Sequence, residues 1–187
     1  MRPALRIVEG PYLRDILDQP RALDATFRGL DEPEALAGIA RRLHGGELKR
    51  VVLTGMGSSH HGLVPLHLRL VEAGLAPVTV ESSELLHYQQ ALLAEGTLLV
   101  LLSQSGRSAE ILRLVETVRG RGVVTLALTN TADSPLAREA TATVLTHAGE
   151  EATVSCKTYL AAQMALAWLG EVLANGDVAA ARGALQA

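Results

Sequence analysis

Aromatic residues and cysteines are scarce in this sequence of 187 residues. Only 3% of the residues are aromatic, so few rings are available on which bases or sugars could stack. The single cysteine, Cys156, excludes an internal disulfide and a cysteine-rich zinc site. Because reducing compartments keep cysteines unpaired, we expect a cytoplasmic location.

An excess of positive charge is also missing. Lysine and arginine number 17 against 20 aspartates and glutamates, which gives a net charge of -3. No basic stripe could neutralise the phosphates of a polymer. The longest apolar stretch, Tyr159 to Leu169, is interrupted by Gln163 and is shorter than the roughly 20 residues that a membrane span needs. Residues 1–10 lack the apolar core of a signal peptide. We therefore expect neither a nucleic acid nor a membrane as a partner.

Aliphatic residues, by contrast, are abundant. Hydrophobic residues make up 48% of the chain and charged residues 20%, which is typical of a packed core and not of a disordered polymer. At about one domain per 150 residues, this length predicts one domain with short appendages. We predict a helical arm over residues 1–48, a single domain over 49–175, and a tail over 176–187 that has the pattern of a frayed helix or linker.

Short apolar runs alternate with helical patterns along the middle of the chain. Five runs are typical of strands, at residues 51–53, 78–80, 98–102, 123–128 and 142–145. Helical patterns cover residues 63–73, 85–93, 109–119 and about 155–174, with a short turn opened by Ser134-Pro135. This alternation predicts an α/β fold of three layers, in which a five-stranded parallel sheet carries helices on both faces.

The N-terminal arm has its own helical patterns. Apolar residues recur at helical spacing between Tyr12 and Phe27, and Pro20 marks a break or kink between two halves. Asp31 stands where it could cap a further helix that has Pro33 in its first turn. The arm therefore predicts helices that precede the first strand.

The loop after the first strand reads Thr54-Gly55-Met56-Gly57-Ser58-Ser59-His60. Its glycines permit a tight backbone, and its hydroxyls stand at a helix start, where free N–H groups favour an anion. A tight turn with a serine N-cap explains the same residues equally well. No G-x-G-x-x-G or Gly-Lys-Ser/Thr follows, so we expect no nucleotide, flavin or other cofactor. His60 is a candidate ligand contact, but about 10 Å of helix between it and His67 argues against a metal site.

The loop after the third strand reads Ser103-Gln104-Ser105-Gly106-Arg107-Ser108. Three hydroxyls and an amide immediately before a helix exceed what a helix cap requires. Two such loops on neighbouring parallel strands favour a cradle for a small phosphate, because ligands bind beyond the carboxyl ends of these strands. Neutral donors favour a phosphorylated polyol over a bare ion. Arg107 is expected to be a solvated residue at the helix start.

A third candidate loop covers residues 149–157. Glu151 could transfer protons if burial raised its pKa, and Glu84 with His87 forms another acid/base candidate. Adjacent surface glutamates such as 150 and 151 are usually solvated, and a structural role explains Glu84 and His87 equally well. Cys156 is interpreted as a small buried hydrophobe and not as a nucleophile, because no cysteine-protease signature surrounds it.

Five segments carry a family resemblance, in the right order and at the right strand ends. They are Ile16-Leu17-Asp18-Gln19-Pro20, like an arm signature E-Q-P; Gly57-Ser58-Ser59, like G-T-S; Ser82-Ser83-Glu84, like A-S-E; Ser103-Gln104-Ser105-Gly106 with Ser108, like S-Q-S-G-E-T; and Glu151 to Tyr159, like E-x-x-V-A-S-T-K-x-[FY]. Together they resemble the sugar isomerase (SIS) domain family. The most similar members are the first of the two such domains in the isomerase half of glucosamine-6-phosphate synthases, and related deaminase/isomerases.

The resemblance implies a flavodoxin-like sheet that binds a phosphorylated sugar of the fructose-6-phosphate or glucosamine-6-phosphate type. By matching positions, it implies phosphate contacts from Ser59, Ser103, Gln104, Ser105 and Ser108, and sugar contacts from Gly57, Ser58 and Ser155. The sequence departs from the family where serines 58 and 108 replace threonines and Arg107 replaces a common glutamate. The loop before Ser155 is also one residue shorter.

Catalysis is implied less directly. Family synthases carry two such domains, and the isomerisation chemistry belongs mainly to the second. No motif here matches the base and the ring-opening group that an aldose-ketose isomerase needs. The implied class remains a sugar-phosphate isomerase or amino-sugar-phosphate deaminase/isomerase, with a homo-oligomer (dimer or tetramer) supplying the missing half of the pocket. Two alternatives stay open: a noncatalytic phosphosugar sensor, and a half-protein completed by a second SIS domain.

Overall fold

A computed structural model describes residues 10–152 and 154–186. Residues 1–9 of the predicted arm, Thr153 of the third loop and Ala187 of the tail lie outside the described residues. The strands are β1 (Arg50–Gly55), β2 (Pro77–Glu81), β3 (Thr97–Leu102), β4 (Val124–Thr129) and β5 (Ala142–Leu145). The helices are α1 (Pro11–Leu17), α2 (Gln19–Gly29), α3 (Glu34–His44), α4 (Ser58–Gly62), α5 (Val64–Glu72), α6 (Ser82–Tyr88), α7 (Ala109–Val118), α8 (Pro135–Glu139), α9 (Lys157–Ala174) and α10 (Val178–Gln186), with a 3-10 turn at Gln90–Leu92.

The strands form one parallel sheet in the order β2-β1-β3-β4-β5. This is the flavodoxin-like order, so the predicted fold class is confirmed. Alternate residues of a strand point to opposite faces. Leu98 and Val100 of β3 therefore join one core, and Leu99 and Leu101 join the other. A strand with both faces covered needs apolar residues at every position, which explains the uninterrupted apolar run in the sequence.

Helices cover both faces of the sheet. Apolar residues of α3, α5 and α9 fill the first core, and those of α6, α7 and α8 fill the second. Helix α9 is apolar on nearly all sides because α2, α5 and α10 also pack on it. Its Trp168 is only 1% exposed and is among the largest fully buried side chains. No helix in the described ranges is long and apolar enough to span a bilayer.

Prolines determine where the helices of the N-terminal arm begin. The predicted break is confirmed, since α1 ends before Asp18 and Pro20 lies in the first turn of α2. The prediction that Asp31 caps the next helix is wrong. Pro33 itself occupies the N-cap position of α3. A residue that precedes a proline is biased towards extended backbone, so the helix begins only after Pro33 and leaves Asp31 too far upstream to cap it.

The C-terminal tail is not a frayed helix or linker, as the pattern predicted. Its helix α10 packs on α9 and α2. The carboxylate of Asp177 accepts a hydrogen bond from the N–H of Ala180 at 2.8 Å and so caps the helix. The guanidinium of Arg182 lies 4.9 Å from the ring centroid of Phe27 and donates to the carbonyl of Leu30. These contacts with α2 order the tail.

One predicted helix is confirmed to within a residue at each end, and another has different bounds in the structure. The pattern over 63–73 corresponds to α5, which begins at Val64 and so has Pro65 in its first turn, and the separate short helix α4 precedes it. The pattern over 85–93 begins earlier, at Ser82, and ends in the 3-10 turn. Helix α6 thus begins directly at the carboxyl end of β2, and α4 begins shortly after the carboxyl end of β1.

Candidate functional site

A crevice opens where the connections from two neighbouring strands diverge. Strand β1 continues into α4 and α5, and α5 packs on the first core, whereas β3 continues into α7 on the second core. Neighbouring strands whose connections leave to opposite faces create a binding crevice at their carboxyl ends. The topology therefore places the candidate site between β1 and β3, at the edge where the sequence predicted it.

A polar pocket lies in this crevice. Its lining comes from the ends of four strands and the region around the start of α9: Ser58, Ser59, Leu102, Gln104, Leu128, Thr129, Asn130, Thr146, Ser155, Thr158, Tyr159 and Ala162. Seven of these side chains carry a hydroxyl and two carry an amide, and none of the described lining residues is charged. The cavity volume of about 20 Å³ leaves room for roughly one water molecule.

Four of the predicted ligand residues line this pocket together: Ser58, Ser59, Gln104 and Ser155. Gly57 comes just before them, at the N-cap position of α4, with φ +52°. An added Cβ at Gly57 would meet no described atom within 4 Å. The glycine is therefore needed for its left-handed backbone and not for a close approach.

The loop between β3 and α7, residues 103–108, carries the other predicted phosphate residues. The buried Ser103 places its Oγ 3.3 Å from the Oγ of Ser108. Ser105 Oγ accepts a hydrogen bond from the N–H of Arg107 at 3.2 Å. Ser108 occupies the N-cap position of α7, but within the described chain its side chain makes no capping bond. The first N–H groups of α7 therefore lack the partner that a cap would supply. Arg107 is exposed, as predicted.

Gly106 holds this loop against the next connection. Its φ is +60°, and an added Cβ would lie 2.2 Å from Ser134 Oγ. Ser134 cannot move freely, because its hydroxyl accepts a hydrogen bond from the N–H of Ala137 and so caps α8. The N–H of Gly106 also donates to the carbonyl of Ser103 at 3.1 Å. Only glycine fits both the backbone and the space.

Sequence reasoning assigned no role to Thr129, Asn130, Thr146, Thr158 and Tyr159. The Asn130 side chain holds the backbone after β5: its Oδ1 accepts from Thr146 Oγ1 at 2.9 Å and from the N–H of residue 148 at 2.8 Å, and its Nδ2 donates to the carbonyl of residue 149 at 2.8 Å. The strand-end argument applied to β4 and β5 would have found the first three residues. Thr158 and Tyr159 do not follow a strand, and only the family signature over Glu151 to Tyr159 includes them.

The structure gives Glu151 a structural task. Its carboxylate accepts hydrogen bonds from the N–H of Cys156 at 2.8 Å and of Thr158 at 3.2 Å, and from the Thr158 hydroxyl. It therefore caps α9 from a position upstream of the helix. Cys156 is partly buried at the N-cap position of α9, and burial raises the pKa of its thiol. A raised pKa lowers the thiolate fraction, in agreement with the interpretation that Cys156 is not a nucleophile.

The other acid/base candidates lie outside the pocket lining. Glu84 and His87 are both exposed on α6. His60 is partly buried, and its Nδ1 is buried without a hydrogen-bond partner among the described residues. The Nδ1 of His67 lies 2.9 Å from Thr79 Oγ1. The described ranges contain no group of three or more histidines, cysteines or acids that could hold a metal ion.

A buried ion cluster lies behind the third loop. The Lys157 side chain is only 5% exposed, and its Nζ lies 3.1 Å from Asp15 and 2.9 Å from Asp18. A hydrogen bond from the N–H of Ala152, and the contact with Lys157, hold the pKa of Asp15 below its usual value. Arg21 and Lys157 hold the pKa of Asp18 well below its usual value. Burial alone would lower the pKa of Lys157, but its hydrogen bonds to the two carboxylates raise it.

Proteins with known names are similar to this chain in sequence. A protein of Aeropyrum pernix named glutamine-fructose-6-phosphate aminotransferase (isomerizing) is 37% identical over 167 residues, which are 88% of this chain and 26% of that protein. A Pyrobaculum aerophilum protein of the same name is 34% identical over 156 residues, which are 83% of this chain and 25% of that protein. The chain thus spans about a quarter of the length of these relatives.

Solved structures share the fold. The C-terminal domain of glucosamine-fructose-6-phosphate aminotransferase from Francisella tularensis superimposes with a TM-score of 0.80 at 23% identity, over 95% of this chain and 52% of that one. The Vibrio vulnificus NanR protein complexed with ManNAc-6P superimposes with a TM-score of 0.70 at 20% identity, over 94% of this chain and 66% of that one. Finally, the family model for the SIS domain matches residues 47–169. Its match extends over all five strands and most of α9, and so the chain belongs to the SIS domain family.

Proposed function

We propose that this domain binds a phosphorylated sugar of the fructose-6-phosphate or glucosamine-6-phosphate type. The phosphate is held by the N terminus of α7 and by Ser59, Ser103, Gln104, Ser105 and Ser108. The sugar hydroxyls contact Gly57, Ser58 and Ser155. The observation that carries the proposal is the uncapped start of α7 beside the paired hydroxyls of Ser103 and Ser108. Helix N termini with free N–H groups favour phosphate.

The side chains that line the pocket are chemically suited to bind a sugar next to the phosphate. Hydroxyls and amides both donate and accept hydrogen bonds, as the hydroxyl groups of a sugar do. The uncharged lining leaves the phosphate charge to the dipole and N–H groups of α7. The NanR protein, which shares the fold, is complexed with ManNAc-6P, another phosphorylated sugar. That likeness supports the class of ligand proposed here.

Isomerisation requires a base beside the first two sugar carbons. Among the described lining residues there is no carboxylate and no imidazole, and Glu151 is occupied as a helix cap. We therefore propose that binding is the function of the domain by itself, and that turnover of the sugar-phosphate isomerase type depends on groups supplied by a second copy. We also propose a cytoplasmic location, which is supported by the free Cys156.

Two single substitutions test the phosphate contacts. We expect Ser103→Ala and Ser105→Ala each to weaken binding of fructose-6-phosphate about tenfold, because each removes a hydrogen bond to a charged group. Isothermal titration calorimetry with glucosamine-6-phosphate, fructose, glucosamine and inorganic phosphate as comparison ligands measures the effect. Thr117→Ala on α7 is the matched control, since among the described residues its hydroxyl donates only to the carbonyl of Arg113 in its own helix. Unchanged affinity in both serine variants would refute the assignment of these contacts.

The outer face of α5 supports self-association. Val64, Leu68 and Val71 follow helical spacing and are 51%, 56% and 49% exposed, so they form one apolar stripe. Exposed apolar patches mark interaction surfaces, and symmetric dimers are the commonest assembly. We propose that a second copy covers this stripe.

We expect Leu68→Glu to shift the protein towards the monomer in sedimentation velocity, because a charge would be buried between the two copies. Leu17→Glu is the control: Leu17 lies on α1 and is 72% exposed. The proposal of self-association through α5 fails if the unmodified protein sediments as a monomer, or if both variants dissociate equally.

A further inference from the structure

Asp18 and Lys157 belong to two different sequence signatures, and neither lines the pocket, but they meet in the structure. The arm signature contains Asp18, and the signature before α9 contains Lys157. The Nζ of Lys157 lies 2.9 Å from Asp18 Oδ2, although the two residues are 139 positions apart in the chain. Asp15, nearly one turn earlier, lies 3.1 Å from the same ammonium. The arm is thus joined directly to the first residue of α9.

The arm also contacts the chain that leads to α9. Residues 146–152 and 154–159, here called the wall segment, connect the end of β5 to the first turn of α9. Asp15 Oδ2 accepts a hydrogen bond from the N–H of Ala152 at 2.9 Å. The hydroxyl of the buried Thr26 in α2 donates to the carbonyl of Thr146. The arm therefore holds the wall segment at its beginning, its middle and the start of α9.

The wall segment forms one side of the pocket. Thr146, Ser155, Thr158 and Tyr159 line it, whereas Asp15, Asp18 and Lys157 do not. Gln104 of the loop 103–108 also lines the pocket, and this loop is held by other contacts: Thr129 Oγ1 donates to the carbonyl of Gln104 at 3.1 Å, and Gly106 packs on Ser134. The arm contacts described here can therefore act on the side that faces the sugar and not on the phosphate loop.

We infer that Asp15 and Asp18 are positioning residues, which hold the wall segment through Lys157 and the N–H of Ala152 so that Ser155, Thr158 and Tyr159 can contact the sugar. This inference rests on the proposed function. Burial supports it, since the Lys157 and Asp15 side chains are 5% and 8% exposed. Removing one of the two carboxylates weakens the compensation of the buried ammonium, which favours a rearrangement of the segment that carries it. A purely stabilising arm would affect both sides of the pocket equally.

The test compares a phosphorylated sugar with inorganic phosphate. Asp15→Asn keeps the shape and one acceptor oxygen but removes one of the two negative charges that face Lys157. We expect it to weaken fructose-6-phosphate binding roughly tenfold, the effect of about one positioned hydrogen bond, and to leave inorganic phosphate binding unchanged. Asp24→Asn is the matched control, because Asp24 lies on the arm helix α2 and, in the part of the chain that the structure describes, pairs only with the exposed Arg28, at 3.0 Å. It should leave both affinities unchanged.

Amide hydrogen exchange gives a readout that needs no ligand. We expect Asp15→Asn to accelerate exchange in the wall segment and not in residues 103–108. Equal affinity for fructose-6-phosphate in Asp15→Asn and the unmodified protein, or equal loss for both ligands, would overturn the positioning role. If the unmodified protein binds no phosphorylated sugar, the proposed function fails instead. Unchanged amide exchange in the wall segment of Asp15→Asn would overturn the positioning inference separately. Should Asp15→Asn not fold, Asp18→Asn tests the same ammonium through a carboxylate that is 24% exposed.

Discussion

Replacing Gly106 with alanine is expected to abolish measurable binding of phosphorylated sugars. The Cβ would lie 2.2 Å from the Oγ and 2.6 Å from the Cβ of Ser134, and no rotation of the serine removes the second contact. Either the loop 103–108 or the start of α8 must move. Because the loop carries the phosphate contacts of Ser103, Ser105 and Ser108, we expect a loss on the order of 100-fold or more in affinity, at about 1.4 kcal/mol for each factor of ten.

The left-handed backbone of Gly106 adds a second cost. Residues forced into this region destabilise a protein by about 1–3 kcal/mol. Gly120→Ala separates this effect from the steric one, since Gly120 has φ +74° and an added Cβ would meet no described atom within 4 Å. It should lower the free energy of unfolding but retain full affinity. Calorimetry and urea unfolding of both variants measure the two effects.

The double variant Gly106→Ala/Ser134→Gly probes the steric contact itself. It removes the Cβ and Oγ of Ser134, so binding should recover in part although the cap of α8 is lost. Full binding by the single variant Gly106→Ala would show that the loop 103–108 does not hold the phosphate.

Removing the side chain of Trp168 is expected to have the largest effect on stability. This residue is 1% exposed and packs in the first core, between the sheet and the helices on that face. Truncation of a buried tryptophan to alanine costs about 3–5 kcal/mol, from lost transfer free energy and the remaining cavity. Domains are stable by only about 5–15 kcal/mol, so Trp168→Ala is expected to populate unfolded chains under mild conditions.

Urea unfolding followed by far-ultraviolet circular dichroism measures this loss. Fluorescence is unsuitable for the comparison, because Trp168 is the only tryptophan of the chain. Tyr88→Ala is the control, since Tyr88 is 78% exposed, and it should change the free energy of unfolding by no more than about 0.5 kcal/mol. A loss below about 1 kcal/mol in Trp168→Ala would mean that the core collapses around the gap or that α9 packs differently.

Much of the architecture could be predicted because its signals are local. The run Leu98–Leu102 indicates a strand buried on both faces, and the structure places it in the centre of the sheet. Pro20 and the pair Asn175-Gly176 mark helix boundaries through backbone sterics alone, and both are found at helix ends in the structure. The prediction of a frayed tail was wrong because helix α10 depends on contacts with α2, which no local sequence pattern indicates.

Some residues of the candidate site could likewise be predicted from local sequence signals, and others could not. The serines of both glycine-containing loops could be singled out because each loop directly follows a strand. The roles of Glu151 and Lys157 could not be read in this way. Glu151 has the sequence context of a solvated acid, but it caps α9, and Lys157 has that of a surface lysine, but it is buried against Asp15 and Asp18. The observed roles of Glu151 and Lys157 differ from their sequence contexts because their partners are distant in sequence or are brought near by a specific turn of the chain.

The order of residues alone determined the α/β class, the strands, most helix boundaries and the two hydroxyl-rich loops. These features could be predicted because backbone sterics, capping and hydrophobic periodicity act over a few residues. Tertiary structure decided that the ends of β1, β3, β4 and β5 share one uncharged pocket with the start of α9, and that the arm reaches its wall. Those arrangements depend on the packing of helices against the sheet and on ion pairing across 139 residues. Such interactions are energetically decisive only once water has been removed from between the elements.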